Sequence, residues 1–296
     1  MSNPAPIDAI EALIHRDVGR NIGALFAAAR GGLRSAATAL AATPAPNVGI
    51  LTGFYVPQGQ PPAAETDGPA AAALLARGLT DAGVPVRLLT DAPCRSAVRA
   101  ALDGAGLALP IDAPALDADP TETVAAWRGL GIDWVISIER CGPGADGAHR
   151  NMRGQDIGMH AAPLHKVFAA GPWHTIAVGD GGNEIGMGSI PRAILERDIA
   201  HGADIACVIP ADHLIVAGVS HWGGYALLAA LAMVRPAWRA AMLGALDPTL
   251  DRAILTSMLR FGPAVDGVTL RREATIDSLG MDRHHAILAA IRALAV

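Results

Sequence analysis

The sequence predicts an α/β fold, a doubly wound and mostly parallel sheet with helices on both faces and an N-terminal helical extension. Short apolar runs alternate along the chain with amphipathic segments, a pattern typical of β-α repeats. Several runs end in glycine or charged residues. Hydrophobic residues make up 51% of the 296 residues and charged residues 17%, which is enough to bury a large core and excludes extensive disorder.

The first section of the chain reads as helical. Apolar residues recur there at helical spacing, at Ile10, Leu13, Ile14, Ile22, Leu25 and Phe26. The segment Thr43-Pro44-Ala45-Pro46 ends this pattern, because proline interrupts a helix. We therefore expect one α/β domain, residues 1–296, with a helical extension over 1–42 and a catalytic core over 43–296.

The rest of the chain alternates between the two kinds of element. Strands are predicted at 48–51, 84–89, 134–138, 175–178 and 205–209. Helices are predicted at 68–81, 95–102, 225–234, 250–259 and 277–294. The segment 104–120 is rich in Asp, Pro and Ala and is predicted to be irregular.

The segment 175–188, TIAVGDGGNEIGMG, is the most informative motif. Its apolar start predicts a buried strand, and the following glycines permit positive φ angles and a close approach of a ligand. Asp180, Asn183 and Glu184 lie among these glycines, and a buried charge needs a partner. We interpret the segment as a ligand site at the carboxyl end of a strand. The alternative is a strand-to-helix turn whose acids cap the next helix.

Three predicted strands end in polar loops, after residues 51, 138 and 178. In a parallel sheet these loops leave from one edge, so we expect their polar side chains to converge. The converging set is Glu65, Asp67, Glu139, Arg140, Asn151, Arg153, Asp180, Asn183 and Glu184.

Charge and hydropathy exclude several classes of partner. The net charge is −5 with no basic tract, which argues against nucleic acid. The most apolar run, 225–234, is half the length of a membrane span of roughly 20 residues. The first residues show no secretory signal pattern, so we expect a cytoplasmic protein that does not associate with membranes.

Motifs for common cofactors are missing as well. There is no GxxxxGK[ST] phosphate loop, and the glycine segment does not fit GxGxxG, so neither a nicotinamide nor a flavin cofactor is expected. Lys166 is the only lysine, which disfavours pyridoxal chemistry. Cys94, Cys141 and Cys207 form no CxxC pair, which supports neither a disulfide framework nor a zinc cluster.

Six segments carry a family resemblance: AETDGP (64–69), SIER (137–140), NMRGQDI (151–157), GDGGNEIGMG (179–188), VSHWGGYAL (219–227) and AVDGVT (264–269). Together they resemble the D-glutamate cyclase family. That family includes stand-alone bacterial members similar to the C-terminal part of the vertebrate mitochondrial enzyme. The resemblance runs from about residue 49 to residue 269 and implies a hydro-lyase that closes D-glutamate to 5-oxo-D-proline with loss of water.

The resemblance implies roles for the converging residues. The candidate catalytic residues are Asp180, Glu184, Asp67 and Glu65, any of which would serve as the base that deprotonates the α-ammonium. Arg140 and Arg153 would grip the α-carboxylate. The amides of Gly181 and Gly182 would form an oxyanion site with Asn183. Asn151 and Glu139 complete the substrate-binding set.

The number of acids bears on the cofactor. Four or five carboxylates would repel a dianionic amino-acid substrate, which favours a bound Mn²⁺ or Mg²⁺, although the sequence does not specify its ligands. The oligomeric state is left open, a homo-oligomer included. We expect Asp180→Asn and Glu184→Gln to abolish turnover with little loss of melting temperature.

Two other functions remain open on the sequence. One is a binding protein that holds an anionic metabolite without catalysis. The other is a metal-dependent phosphoryl or nucleotide enzyme, since acids beside a glycine-rich turn hold Mg²⁺ and phosphate. The lack of lysine near the glycine segment disfavours the phosphoryl enzyme.

Overall fold

The computed structural model describes residues 4–296. Its strands are β1 (Val48–Thr52), β2 (Tyr55–Val56), β3 (Ala63–Glu65), β4 (Val86–Leu89), β5 (Ile111–Asp112), β6 (Trp134–Ile138), β7 (His174–Gly179), β8 (His213–Val216), β9 (Ala264–Val265), β10 (Thr275–Ile276) and β11 (Leu279–Gly280). Six of them form a parallel sheet in the order β5-β4-β1-β6-β7-β8. Two small sheets, β2-β3-β9 and β10-β11, lie outside it.

The helices surround the main sheet. They are α1 (Pro4–Ile14), α2 (Gly23–Ala28), α3 (Gly32–Ala42), α4 (Pro69–Asp81), α5 (Arg95–Gly104), α6 (Pro120–Gly129), α7 (His165–Ala170), α8 (Arg192–Asp198), α9 (Gly202–Ile205), α10 (Ser220–Val234), α11 (Arg239–Ala245), α12 (Pro248–Phe261) and α13 (Met281–Ala295). One hydrophobic cluster contains residues of α1, α3, α4, α5 and α10–α13, and a second contains residues of α2 and α6–α9.

The strand side chains explain why both faces are covered. In β1, Val48 and Ile50 belong to the first cluster and Leu51 to the second, as the two-residue alternation of a strand requires. In β6, Ile136 belongs to the first cluster and Val135 to the second. Because apolar residues point to both sides, each face needs a layer of helices. The predicted doubly wound α/β fold is therefore confirmed.

The strand order places a switch point at the centre of the sheet. After β1 the chain moves outward to β4 and β5, and it then returns to pair β6 with the other side of β1. Loops that leave the carboxyl ends of β1 and β6 therefore diverge and open a crevice between them, the usual ligand site of such sheets. The polar loops singled out in the sequence flank this crevice.

The predicted strand at 205–209 is wrong. The chain there forms the end of α9 and a loop, and the sixth strand of the sheet is β8. The segment pairs with the glycine segment instead: Cys207 N–H donates to Gly182 O, and Ile209 O accepts from the N–H groups of Gly186 and Gly188. Its apolar side chains pack beneath that loop, so its hydrophobicity reflects burial rather than sheet pairing.

One other segment differs from its prediction. The segment 104–120 contains the edge strand β5. The helical region predicted over 7–42 consists of three helices, separated by turns at which Gly19 (φ +104°), Asn21 (φ +61°) and Gly31 (φ +88°) adopt left-handed conformations. Residues of α1 and α3 share one core with those of α10 and α13. The division at residue 43 stays a prediction, and residues 1–3 lie outside the described part.

Across residues 4–296, no helix has both the length and the apolar character required to traverse a lipid bilayer.

Candidate active site

The amino end of α10 meets three carboxyl groups. The backbone N–H of Ser220 donates to Asp67 Oδ2 (3.1 Å) and to Asp180 Oδ2 (2.8 Å). The Ser220 hydroxyl donates to Glu139 Oε2 (2.5 Å). Asp67, Glu139 and Asp180 each follow a strand, β3, β6 or β7, and one oxygen of each lies within 4.8 Å of the others. The positive end of the α10 dipole favours negative charge at this position.

Burial raises the pKa of all three acids. Burial, followed by the neighbouring Asp277, raises the pKa of Asp67 to about 7. Burial, then Asp180 and Glu184, raises the pKa of Glu139 well above its usual range. The pKa of Asp180 is likewise raised by burial, although Arg20 opposes the shift. Groups of this kind can exchange protons near neutral pH.

A cavity of about 200 Å³ opens beside the cluster. Its lining includes Arg20, Phe54, Tyr55, Glu65, Glu139, Asn151, Arg153, Asp180, Asn183, Gly267, Val268 and Asp277. The polar loops after β1, β6 and β7 all contribute residues to this cavity. Most of the side chains that the sequence predicted to converge therefore lie together. The cavity contains Glu65, Glu139, Asn151, Arg153, Asp180 and Asn183, with Asp67 immediately behind them.

Arg20 is the partly buried cation of the cavity. Its Nη1 lies 3.3 Å from Asp180 Oδ2 and donates to Gly218 O (3.0 Å), and its Nη2 lies 2.7 Å from Asp277 Oδ2. Burial lowers the pKa of the guanidinium, but Asp180 and Asp277 outweigh burial and raise it well above its usual value. Arg20 is therefore a permanent positive charge between two carboxyl groups.

Two buried acceptors in the cavity wall have no hydrogen-bond partner, Glu65 Oε1 and Asn183 Oδ1. The orientation of the Asn183 amide is set by its Nδ2, which donates to Arg150 O (2.8 Å), so Oδ1 is left over. Buried polar atoms are normally paired, and these two point to a ligand that brings N–H or O–H groups. Burial, followed by Asp67, raises the pKa of Glu65 well above its usual range.

Glu184 stabilises the glycine segment instead of facing the cavity. Its carboxylate accepts the backbone N–H groups of Asp180 (3.2 Å), Gly181 (2.7 Å) and Gly182 (2.7 Å). The φ angles of Gly182 (+101°) and Gly186 (+103°) allow this tight turn. The amides of Gly181 and Gly182, predicted as oxyanion donors, are thus occupied by Glu184.

Arg140 also lies away from the cavity and is 1% exposed. Its Nη1 lies 2.6 Å from Asp91 Oδ2 and donates to Gly53 O (2.8 Å), while Nη2 donates to Ala162 O (2.8 Å). This buried ion pair joins loops that follow β1, β4 and β6. The structure therefore gives Arg140 a scaffold position, in contrast to the carboxylate-binding position predicted from the sequence.

Asn151 and Arg153 lie at the mouth of the cavity. Asn151 Oδ1 accepts the N–H groups of Arg153 (3.0 Å) and Gln155 (3.1 Å), which orders the loop. The exposed Arg153 side chain reaches across the mouth and donates to Val268 O (3.1 Å) and Gly267 O (3.4 Å).

Sequence reasoning missed Arg20, Asp277 and Ser220. Arg20 lay inside a stretch predicted as helix, and it is in fact on the loop between α1 and α2. Asp277 lies on a loop between two-residue strands that the sequence does not signal. Ser220 did have a signal, because it begins a helix within one of the six resembling segments.

The first turn of α10 is anchored from the other side by Asp251. His221 Nε2 lies 2.8 Å from Asp251 Oδ1, and the Tyr225 hydroxyl donates to Asp251 Oδ2. Burial raises the pKa of Asp251, but His221 more than reverses this and the pKa is lowered overall. These fully buried contacts fix the position of the Ser220 amide.

The contacts of Glu184 revise the expectation that Glu184→Gln has little effect on melting temperature. Glutamine offers one acceptor oxygen in place of two, so a buried N–H of the glycine turn loses its partner. We expect the free energy of unfolding to fall by about 1–3 kcal/mol, measured by urea denaturation. The matched control is Glu122→Gln on the exposed surface of α6. Equal stability of the two variants would contradict the structural role of Glu184.

Comparisons with known proteins identify the family of the chain. A family model described as "D-glutamate cyclase-like, C-terminal" matches residues 10–292. The chain is 34% identical over 197 residues to the human protein "D-glutamate cyclase, mitochondrial". That alignment covers 62% of this chain and 32% of the human protein, so the likeness concerns about a third of the relative. The extent of the family match, nearly the whole chain, shows that this protein belongs to the D-glutamate cyclase-like family.

Proposed function

We propose that this protein closes D-glutamate to 5-oxo-D-proline with loss of water. The observation that carries the proposal is the small cavity in which buried, readily protonated carboxyl groups surround one fixed arginine. Family membership and the name of the human relative support the same reaction. The chemistry of ring closure indicates which of these groups are needed.

Ring closure moves two protons within the substrate. The α-nitrogen begins as an ammonium and ends as a lactam N–H, so it loses two protons. The departing γ-carboxyl oxygen takes up both and leaves as water. Because nucleophile and electrophile belong to one molecule, orientation alone can supply effective molarities of about 10⁵–10⁸ M. The protein must supply the proton carriers and hold the substrate in a folded shape.

The cavity contains groups suited to each transfer. Burial raises the pKa of Asp180, so its carboxylate is a good proton acceptor, and Arg20 and the Ser220 amide hold it in place, which makes Asp180 the proposed base for the ammonium. Glu65 has a strongly raised pKa and an unpartnered oxygen in the cavity wall, which makes it the proposed acid for the leaving oxygen. Positioned acid–base catalysis of this kind contributes roughly 10²–10⁴ in rate.

Arg20 is the proposed grip for the substrate α-carboxylate. A guanidinium fork binds a carboxylate through two parallel hydrogen bonds. Arg140 forms a buried ion pair with Asp91, and Arg153 is exposed at the mouth of the cavity. Arg20, in contrast, lines the cavity itself. Asn183 Oδ1, which lacks a donor, is the proposed acceptor for the substrate ammonium.

The cluster of Asp67, Glu139 and Asp180 also fits a divalent cation. Carboxylate oxygens are the ligands that Mg²⁺ and Mn²⁺ prefer, and the spacing within 4.8 Å allows one ion to contact all three. A bound ion would neutralise the acid cluster and polarise the γ-carboxylate. We propose these three residues as its ligands.

Chiral chromatography of the purified protein with D- and L-glutamate tests the reaction. We expect 5-oxo-D-proline from the D-enantiomer alone. Parallel samples with Mn²⁺, Mg²⁺ or EDTA show whether the proposed cation contributes. A folded protein that binds D-glutamate in calorimetry and yields no product under any of these conditions would favour a non-catalytic binding protein.

Replacing Asp67 with Asn should separate activity from stability. The buried like charges repel one another in EDTA, so removing one should raise the melting temperature while turnover is lost. The exposed Asp117→Asn carries the same chemical change and serves as control. Thermal unfolding in EDTA and the chromatographic assay provide the two readouts. Full activity of Asp67→Asn would remove this residue from the site.

Arg20→Gln and Arg153→Gln distinguish the two arginines of the cavity. Loss of a charge-assisted bidentate contact should lower kcat/KM by about 100-fold for Arg20→Gln. Arg153 donates to backbone carbonyls at the mouth, and its replacement should change kcat/KM by less than about fivefold. Steady-state kinetics with D-glutamate measures both variants. The reverse order of effects would assign the substrate carboxylate to Arg153.

A further inference from the structure

The charge balance of the cavity favours an uncharged γ-carbonyl group. Four carboxyl groups and two guanidinium groups line it, namely Glu65, Glu139, Asp180, Asp277, Arg20 and Arg153. Arg20, the proposed partner of the α-carboxylate, also contacts Asp180 and Asp277, and Arg153 donates to backbone carbonyls at the mouth, so no other arginine of the lining is left for the γ-carboxyl group. D-Glutamate brings one more carboxylate into this buried space than D-glutamine does. A carboxamide has nearly the same shape as a carboxylate and avoids the second repulsion.

The two unpartnered acceptors of the cavity wall also favour a carboxamide at the γ position of the substrate. Glu65 Oε1 and Asn183 Oδ1 are buried in the cavity wall and accept no hydrogen bond. A carboxylate has no N–H to offer them, so D-glutamate donates only through its ammonium. A carboxamide adds two N–H donors to the three of the ammonium. The Asn183 acceptor keeps its orientation, since the other end of that amide is bound to Arg150 O.

From these observations, and resting on the proposed function, we infer that the cavity also closes D-glutamine to 5-oxo-D-proline and releases ammonia. The α-nitrogen attacks Cδ, a C–N lactam bond forms, and the bond from Cδ to the side-chain nitrogen breaks. The α-ammonium loses two protons, and the departing NH₂ group gains two and leaves as NH₄⁺. Atoms and charge balance without any other reactant, and the proton carriers are those proposed for D-glutamate.

The test uses the 296-residue protein with Mn²⁺ and, in parallel, with EDTA, and D-glutamine, L-glutamine and D-glutamate are supplied as separate substrates. Chiral chromatography measures 5-oxoproline and a colorimetric assay measures ammonia. Glutamine also closes without a catalyst, so buffer alone and the Asp180→Asn protein, which lacks the proposed base, serve as blanks. We expect D-glutamine to react at least about 100-fold faster than in either blank, with equimolar ammonia and no acceleration for L-glutamine.

The other outcomes separate this inference from the proposed function. Turnover of D-glutamate without turnover of D-glutamine overturns the inference and leaves the proposed reaction standing. Turnover of D-glutamine alone supports the inference and overturns D-glutamate as the substrate. Equal rates for the wild type and Asp180→Asn on D-glutamine would mean that the reaction does not use this cavity, which also overturns the inference.

Discussion

The site depends on one backbone amide. Ser220 N–H holds Asp67 and Asp180 together, and the hydroxyl of the same residue holds Glu139. Three like charges within a few ångströms would otherwise separate or draw in water. The α10 dipole and the Arg20 guanidinium oppose that repulsion, while burial shifts part of the negative charge to the protonated form. The position of α10 therefore determines whether the acids form a cluster at all.

Much of the polar sequence around the cavity belongs to its support. Glu184 fixes the glycine turn that presents Asp180, and the Asp91–Arg140 pair joins three loops at the same sheet edge. Asp251 fixes the first turn of α10 through His221. Each of these charged side chains is buried and bonded to at least one backbone or side-chain partner, which a rigid site requires. The residues that contact the cavity are held by a second set of charged residues that do not.

The fold could be predicted because a sheet that is buried on both faces requires a recognisable sequence pattern. That pattern consists of apolar strands, helices with apolar residues at helical spacing, and polar loops after the strands. The sequence predicted the convergence of the polar loops because parallel strands share an edge. It did not distinguish Glu184 and Arg140 from the residues that face the cavity. The residue type alone does not show whether a buried acid or arginine binds a ligand or the backbone. Nor did it find Arg20 and Asp277, whose proximity depends on long-range packing.

The pairing of Arg20 with Asp277 joins residues from near the two ends of the chain. Asp277 lies on a loop whose turn is held by Asp266, which accepts the N–H groups of Val268, Thr269 and Ser278. The central sheet contains neither residue, so its strands alone do not build the cavity. The cavity has this ion pair only when the segments that carry Arg20 and Asp277 are both docked. A substitution far from the cavity that loosens either segment would therefore remove the cation from the site while the sheet stays folded.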